Sequence, residues 1–324
     1  MSTYYEIFGG KINVVASDPS NPIRGQVWFN SATPALKYQS VATANVWITG
    51  GNLATARYQL AGAGTQTAGL AFGGFIPPDQ ALTEEYDGTS WTAGGNLSNA
   101  RRSLGGAGTQ TAALAIGGEF PQVNTVEEYD GTSWTGGGNL PATKDIMGGA
   151  GTQTAGLSVG GRTTVITGAT EEYDGTSWTT GGSLATARAQ SAVSGTQTLA
   201  TAGGGTTATA NTNVTEEYDG SSWTAGGNMA TSRRYLAGLG GTGTQTAASA
   251  FGGFTTTAVN NVEEYDGAAW TAGPNLPGAQ RSQAGMGTQT AGLSAAGTSA
   301  TASLTSTFEY VATGVPLTKT VTST

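Results

Sequence analysis

The chain has no histidine and no cysteine among its 324 residues. Without these side chains it cannot form a disulfide, a cysteine metal site, or a nucleophile activated by histidine. We therefore predict no catalytic residue, no metal site and no cofactor of the kinds that depend on them. Chemistry based on carboxylates alone stays open.

Charge is also scarce, since Asp, Glu, Lys and Arg together make up 10% of the residues. The formal net charge is −8, and the largest basic clusters are Arg101-Arg102 and Arg233-Arg234. A nucleic-acid partner is not expected, because phosphate contacts need clustered Lys and Arg. No apolar run approaches the ~18 residues of a membrane-spanning helix. The first residues lack the basic start and apolar run of a signal peptide. We expect a soluble protein made without Sec export and without membrane insertion.

What the chain does have is an internal repeat. It contains 53 Gly, and its aromatic residues recur at regular intervals, which favours a buried core over disorder. Gly-Thr-Gln-Thr occurs six times and Glu-Glu-Tyr-Asp-Gly five times. Six tryptophans, spaced by 43 to 47 residues, mark the period: Trp47, Trp91, Trp134, Trp178, Trp223 and Trp270. Periods of this length are typical of solenoids and propellers.

Each unit divides into four short runs separated by turn signals. In the first unit these are Tyr58–Ala63, Ala68–Phe72, Thr83–Tyr86 and Ser90–Thr92. Asp87-Gly88 is a strong hairpin signal, because both residues tolerate positive φ. Four antiparallel strands in about 44 residues make one propeller blade. The predicted fold class is therefore an all-β propeller of six blades.

The two ends of the chain are predicted to complete the last blade. Residues 45–53 repeat the fourth-strand pattern, and residues 306–310 repeat the third. The strand around Trp47 would then join the blade that begins at Arg281, since an open ring would expose unpaired edges. Residues 34–42 are an alternative third strand that the sequence leaves open. The predicted domains are an N-terminal arm and hairpin (1–42), a propeller (43–310) and a Thr-rich tail (311–324).

The repeat resembles the kelch repeat over about residues 43–310. A Gly-Gly pair ends the second strand, Tyr86 precedes Trp91 by five residues, and a basic residue precedes each first strand. The basic residues are Arg57, Arg101, Lys144, Arg188, Arg233 and Arg281. We assign structural roles to the six tryptophans and to the repeated charges, including Arg57, Arg188, Glu84 and Glu127. The last unit departs from the pattern, because Gly297 stands alone where the pair is expected.

The loops between the second and third strands differ from unit to unit, unlike the turns on the opposite face. Variable loops on a uniform scaffold are where binding specificity usually lies, although such loops can also be unconstrained spacers. The candidate binding residues are Phe75, Ile76, Asp79, Glu119, Phe120, Arg162, Asn211, Phe254 and Asn260. Asp79 and Glu119 are also the candidates for a glycosidase carboxylate pair.

Residues 18–38, DPSNPIRGQVWFNSATPALKY, predict a small β-hairpin. This segment resembles a hairpin of bacteriophage virion and tail-fibre proteins, and the repeats resemble those of phage structural proteins, particularly from aquatic phages. The resemblance implies a non-enzymatic virion protein: a fibre, a tail-tip protein or a capsid decoration. Its first ~15 residues would dock onto other virion proteins, and its propeller would bind a host-surface glycan or receptor. Self-association is a further option. The alternatives are a kelch-type lectin or interaction scaffold without a virion role, and a glycan-degrading tail enzyme.

Overall fold

The computed structural model describes residues 3–7, 10–20, 22–42, 44–119, 121–239, 243–314 and 316–320. These residues form strands and no helix, in agreement with the predicted all-β class. Within the same ranges, no helix has the length and hydrophobicity that a membrane crossing requires. The chain divides into two compact units, Met1–Val46 with Val311–Thr324, and Trp47–Tyr310. The C-terminal segment, predicted to be a separate tail, therefore groups with the N-terminal residues.

The first unit is one five-stranded sheet. Its strands, in spatial order, are β1 (Thr3–Ile7), β2 (Gly10–Val15), β3 (Val27–Asn30), β4 (Ala35–Val41) and β28 (Pro316–Thr320). Only β2 and β3 pair in parallel; the other neighbours are antiparallel. The predicted hairpin is β3–β4, and the residues predicted to be a docking arm form β1 and β2.

The described core of this unit is organised around Trp28, which lies outside the repeat and is fully buried. Its Nε1 donates to Asp18 Oδ1 at 3.0 Å, and Asn30 Nδ2 donates to the same oxygen at 2.7 Å. Lys37 Nζ donates to the other oxygen, Asp18 Oδ2, at 2.6 Å. Hydrogen bonds from Lys37 and Trp28 lower the pKa of Asp18 to about 2. One carboxylate therefore ties together the side chains of β3 and β4.

The second unit consists of six small antiparallel sheets with a propeller-like arrangement. Within the described residues, five of these sheets have four strands, and the sixth, which belongs to the fifth repeat, has three. In sheet order the strands are β6 (Ala61–Gly64), β7 (Gly69–Phe72), β8 (Thr83–Tyr86), β9 (Trp91–Ala93); β10 (Gly105–Thr109), β11 (Ala112–Ile116), β12 (Val126–Tyr129), β13 (Trp134–Gly136); β14 (Gly148–Thr152), β15 (Ala155–Val159), β16 (Thr170–Tyr173), β17 (Trp178–Thr180); β18 (Ala192–Gly195), β19 (Ala200–Gly203), β20 (Thr215–Tyr218), β21 (Trp223–Ala225); β22 (Ser249–Phe251), β23 (Val262–Tyr265), β24 (Trp270–Ala272); and β25 (Ala284–Thr288), β26 (Ala291–Ala295), β27 (Thr307–Val311), β5 (Val46–Thr49).

The last sheet contains a strand from the N-terminal part of the chain. β5 is its outer strand and pairs with β27, and the link that follows β5 continues the pairing from Gly50 N to Thr307 O at 2.9 Å. β27 occupies the third position, whereas residues 35–41 belong to the first unit. β26 forms in spite of the missing glycine, because Ala296 adopts a positive φ of 59°, close to the 66° of the equivalent Gly73 in the first repeat.

The inner strands of successive sheets approach each other backbone to backbone. β6 contacts both β10 and β25, β10 contacts β14, β14 contacts β18, and β18 contacts β22. A Cβ added to Gly106 would lie 2.6 Å from Gly62 O, and one added to Gly149 would lie 2.4 Å from Gly106 O. This spacing explains why glycine recurs in the first strands.

The glutamine of each Gly-Thr-Gln-Thr turn joins its repeat to the one before it. Gln110 Nε2 donates to Gly69 O at 3.0 Å and to Tyr86 O at 2.7 Å, on the second and third strands of the preceding repeat. Gln66, in the first repeat, makes the same two bonds to the sixth, at Gly292 O and Tyr310 O. The equivalent residues are Gln153, Gln197, Gln245 and Gln289.

The first glutamate of each Glu-Glu-Tyr-Asp-Gly motif pairs with the basic residue of its own repeat. The buried pairs are Arg57–Glu84, Arg101–Glu127, Lys144–Glu171, Arg188–Glu216 and Arg233–Glu263. The prediction that Arg281 is the sixth basic residue was wrong by one position. The position equivalent to the basic residue is occupied by Gln280, which is fully buried, and Phe308 occupies the position of the first motif glutamate. Both charges are therefore absent together.

The second glutamate connects neighbouring repeats through tyrosine. Tyr129 Oη donates to Glu85 Oε1 of the preceding repeat at 2.5 Å, and burial raises the pKa of Tyr129 to about 12. The same contact joins Tyr173–Glu128, Tyr218–Glu172, Tyr265–Glu217 and Tyr86–Glu309. The repeated carboxylates are thus bound by the scaffold itself.

The tryptophans of the outer strands pack between repeats, each against the tyrosine of its own repeat. Where the preceding repeat offers a threonine, the indole donates to it, as Trp91 Nε1 does to Thr307 Oγ1 at 2.9 Å. The second repeat has Val126 at the position of this threonine, and the fifth repeat has Val262. Trp178 then donates to Gly138 O instead, whereas Trp47 Nε1 is buried with no hydrogen-bond partner among the described residues.

Candidate binding face

Each variable loop of the second unit begins with a residue that pairs across to the residue just after the basic position. These isolated bridges form six pairs: Tyr58–Phe75, Arg102–Glu119, Asp145–Arg162, Ala189–Thr206, Arg234–Phe254 and Arg281–Thr298. We call these twelve residues the variable ring. Their backbone pairing is the same in every repeat, but their side chains range from alanine to arginine.

A left-handed residue follows the first member of each pair and fixes its place. These residues are Gln59, Ser103, Ile146, Gln190, Tyr235 and Ser282, with φ from 49° to 57°. Such angles are uncommon outside glycine. Their main chains bond from repeat to repeat, as in Ser103 N to Gln59 O at 2.8 Å and Gln59 N to Ser282 O at 2.9 Å. The six residues line a central cavity of about 140 Å³.

Three repeats contribute to a mixed-charge cluster, made of Asp79, Arg102, Glu119, Asp145 and Arg162. Arg102 lies between Asp79 Oδ1 at 3.6 Å and Glu119 Oε1 at 3.4 Å. Arg162 contacts Glu119 Oε2 at 2.9 Å and pairs with Asp145, which is fully buried. Burial and a hydrogen bond with Asp145 raise the pKa of Glu119. The suggested glycosidase pair, Asp79 and Glu119, therefore shares one arginine.

A cavity of about 370 Å³ adjoins this cluster. It is lined by Glu119, Asp145 and Arg162 together with Gln122 and Thr163 of the neighbouring loops. Gln122 Nε2 fixes the loop contact by donating to Arg162 O at 2.8 Å and to Thr163 O at 2.9 Å. Arg162 keeps 43% of its side chain exposed, so it can reach a ligand in this cavity.

Two further repeats form an arginine–aromatic cluster, made of Arg234, Tyr235, Phe254 and Arg281. The Arg234 Cζ lies 5.1 Å from the Phe254 ring centroid and 5.5 Å from that of Tyr235. The Arg281 Cζ lies 4.6 Å and 5.6 Å from the same two centroids. Cations at these distances are attracted to aromatic faces. Both guanidinium groups therefore converge on one pair of rings.

The other predicted binding residues have structural contacts. Asn211 Nδ2 donates to Phe254 O at 3.1 Å, and its Oδ1 accepts from Arg234 Nη1 at 3.0 Å. Asn260 Nδ2 donates to Leu276 O at 3.1 Å and so holds the link to the next repeat. Ile76 is half-buried at the loop tip, and Phe120 lies outside the described residues.

Five members of the two clusters were missed from sequence: Arg102, Asp145, Arg234, Tyr235 and Arg281. Each lies one or two residues after the scaffold's basic position, whereas the prediction covered only the basic position itself and the loops. A signal was present, because the residue after the basic position changes in almost every copy. Phe75, which was predicted, lies 4.2 Å from the Arg102 Cζ.

The described residues contain no group of three or more Asp and Glu side chains that could hold a metal ion. The aspartates of the repeated motif make turns: Asp87 Oδ1 accepts from Thr89 N at 2.8 Å and from Ser90 N at 2.7 Å. These bonds lower the pKa of Asp87. The motif carboxylates therefore serve the fold.

Neither a scan of protein-family models nor a search of curated proteins returns a match to this chain. The kelch and phage resemblances therefore remain predictions.

Proposed function

We propose that the protein is a non-enzymatic binding protein built on a closed, six-bladed propeller of the kelch type. Closure is supported by the contacts between the first and last repeats. Gln66 binds two carbonyl groups of the sixth repeat, Tyr86 donates to Glu309, and a Cβ on Gly62 would lie 2.6 Å from Met286 Cε. The glutamine bonds recur between every other pair of neighbouring repeats, and the tyrosine–glutamate bond recurs in four of those pairs.

The sequence of the last link agrees with this closure. In the other links a glycine faces the Asp-Gly turn of the next repeat; a Cβ on Gly51, for example, would lie 2.2 Å from Thr89 O. The third and fourth strands of the sixth sheet come from opposite parts of the chain, so no Asp-Gly turn joins them. The link before that sheet has Pro274 in place of the glycine, as expected where no turn requires the space.

The proposal that this protein binds a ligand rests on the variable ring. Six copies of one backbone geometry present six different pairs of side chains, while the glutamine of the Gly-Thr-Gln-Thr turn makes the same two bonds in all six copies. A binding face needs such asymmetry, because one ligand meets one set of groups. The repeated carboxylates support a non-enzymatic role, because each is held by a scaffold arginine, lysine, tyrosine or turn amide.

We assign the protein to a phage virion as a fibre, tail-tip or capsid decoration protein. This assignment rests on the resemblance of residues 18–38 and of the repeats to phage structural proteins. The first unit has a sheet and a buried tryptophan of its own, so it can serve as the attachment to other virion proteins. The variable ring would then bind a host-surface glycan.

Two experiments test this assignment. Mass spectrometry of purified particles should find the protein; its absence from virions would leave a lectin or interaction scaffold as the better reading. Binding to immobilised host polysaccharide should weaken at least tenfold in Phe75→Thr and Phe254→Thr, a loss of about 1.4 kcal/mol. Threonine is the residue that two other repeats have at this position, Thr206 and Thr298, so both variants should fold.

The matched control lies on the opposite face. Thr176→Ala introduces the residue that the fifth repeat has there, Ala268, and binding should not change. Equal binding by all three variants and the wild type would contradict the assignment of the binding face. Release of oligosaccharides from the polysaccharide would instead show a glycan-degrading enzyme.

A further inference from the structure

The two arginines of the arginine–aromatic cluster differ from the other cations of the second unit. Arg57, Arg101, Lys144, Arg188 and Arg233 each pair with a glutamate, and both arginines of the mixed-charge cluster contact carboxylates. Among the residues that the structure describes, no carboxylate lies within ion-pair distance of Arg234 or Arg281. Two positive charges therefore stand together without a negative partner.

The donors of this pair are only partly used. Arg234 Nη1 donates to Asn211 Oδ1 at 3.0 Å, which holds one guanidinium in place from the neighbouring loop. Arg281 Nε is buried and has no hydrogen-bond partner among the described residues. That atom is out of a ligand's reach, so an incoming acceptor would bind the terminal Nη atoms of the two guanidinium groups.

The local charge runs against the charge of the whole protein. The chain carries a net charge of −8, so its long-range field repels anions, while this corner of the variable ring carries two positive charges. A ligand anion is therefore recognised at contact range, and not by general attraction to a basic surface. Arginine suits this role, because its planar fork matches the oxygens of carboxylate, sulfate and phosphate groups.

We propose that Arg234 and Arg281 bind the anionic group of an acidic saccharide, a uronate, sulfate or phosphate ester. The exposed parts of Tyr235 and Phe254 would contact the sugar ring beside it. This inference rests on the proposed function, since it names the class of glycan that the variable ring takes.

The test measures thermal stabilisation and binding heat with three probes: glucuronate, galactose 6-sulfate and glucose 6-phosphate. Glucose at the same concentration is the neutral control, and ionic strength is held constant with chloride. At least one anionic probe should bind, and the three arms identify which group is preferred. Binding should weaken at least tenfold in Arg234→Ala and in Arg281→Ala, or about 1.4 kcal/mol each.

Both variants should fold, because Ala189 occupies the same position in the fourth repeat. Arg281→Lys keeps the charge but lacks the planar pair of Nη donors, so it should recover only part of the affinity. Arg24→Ala removes an exposed arginine of the first unit and should leave binding unchanged. Failure of all three anionic probes to bind, or equal binding by the variants, would overturn the anion site.

The outcomes separate this inference from the function on which it rests. If a neutral host glycan binds and the arginine variants bind it equally well, the proposed function stands and the anion site is wrong. If the anionic probes bind through the arginines but no host polysaccharide does, the site stands and the proposed role in host attachment is wrong.

Discussion

The buried ion pair of the third repeat can be replaced by the neutral pair that the sixth repeat uses. Lys144 Nζ donates to Glu171 Oε2 at 2.5 Å, to Ser158 Oγ at 3.2 Å and to Ala169 O at 3.0 Å. In the sixth repeat Gln280 Nε2 donates to Ser294 Oγ, the serine equivalent to Ser158. The double variant Lys144→Gln/Glu171→Phe therefore recreates an arrangement that already exists in this chain.

The third repeat suits this exchange better than any other. Elsewhere the glutamate also accepts a bond from the link, as Glu84 Oε2 does from Ala54 N at 2.7 Å. The third repeat has Pro141 there, and the sixth has Pro277; neither has an N–H to leave unpaired. A phenylalanine also fits, since a Cβ on Gly278 would lie 3.8 Å from Phe308 Cζ and the third repeat has Ala142 at that place.

The single variant Glu171→Phe should be strongly destabilised at pH 7. It leaves the buried Lys144 ammonium without its counter-ion, which costs about 3–5 kcal/mol. The lysine can limit this cost by losing its proton. From an unfolded pKa of about 10.4, removing the lysine proton at pH 7 costs about 4.6 kcal/mol, which is the most that the unpaired charge can cost. This upper limit falls by about 1.36 kcal/mol for each pH unit above 7. The double variant has no buried charge and should stay within about 1 kcal/mol of the wild type.

The sign of the pH dependence follows from the same lysine. Burial already lowers the pKa of Lys144 in the native protein, and loss of Glu171 lowers it further. Between the folded and unfolded pKa values the unfolded chain binds more protons, so the stability of Glu171→Phe rises with pH. The part of its deficit that comes from the unpaired charge should shrink to no more than about 1.9 kcal/mol at pH 9.

Equilibrium unfolding in guanidinium chloride, followed by tryptophan fluorescence, measures these differences. The matched control is Arg57→Gln/Glu84→Phe, which should stay destabilised by about 1–3 kcal/mol because the Ala54 amide loses its acceptor. A double variant of the third repeat as unstable as Glu171→Phe alone would refute the reasoning. So would a deficit in Glu171→Phe that does not change between pH 7 and pH 9.

Two further predictions concern the contacts between repeats. Gln66→Ala and Gln110→Ala should lower the free energy of unfolding by the same amount, about 1–3 kcal/mol for two hydrogen bonds to the main chain. The same guanidinium chloride unfolding measures both. If Gln110→Ala lowers it and Gln66→Ala does not, the ring is not closed. Val262→Thr should stabilise the protein by about 1 kcal/mol, because the new hydroxyl can accept from the unpaired Trp47 Nε1. Val126→Thr is the control and should give less, since Trp178 already donates to Gly138 O, and equal gains would contradict this account.

The regular part of the fold could be predicted because repeated turn signals and aromatic residues mark each strand. The third strand of the first repeat spans Thr83–Tyr86, as predicted. The first strand begins at Ala61 instead of Tyr58, because Gln59 adopts a left-handed conformation with φ of 55°. A glutamine does not predict that conformation, because glycine is the residue that usually adopts it.

The contacts between repeats could not be predicted from local patterns. The glutamine of Gly-Thr-Gln-Thr lies between the first and second predicted strands, where a turn requires only the glycine and threonine. Its constancy in all six copies was a signal of a second role, which is to bind the preceding repeat. Likewise, Gln280 was overlooked because Arg281 beside it fitted the basic pattern. A shift of one position becomes visible only when the partner, Phe308, is seen in space.

The variable ring is more constrained than a set of spacer loops would be. The second and third repeats both place an ion pair there, but in opposite orientation, Arg102–Glu119 and Asp145–Arg162, while the first places two aromatic rings together, Tyr58–Phe75. Unconstrained positions would not keep complementary partners while changing their identity. The arginines of the last two repeats are the exception, since their bridge partners, Phe254 and Thr298, carry no charge. Because the charged pairs of the second and third repeats satisfy themselves within the protein, the two unmatched arginines are the part of the ring where a ligand from outside has the most to contribute.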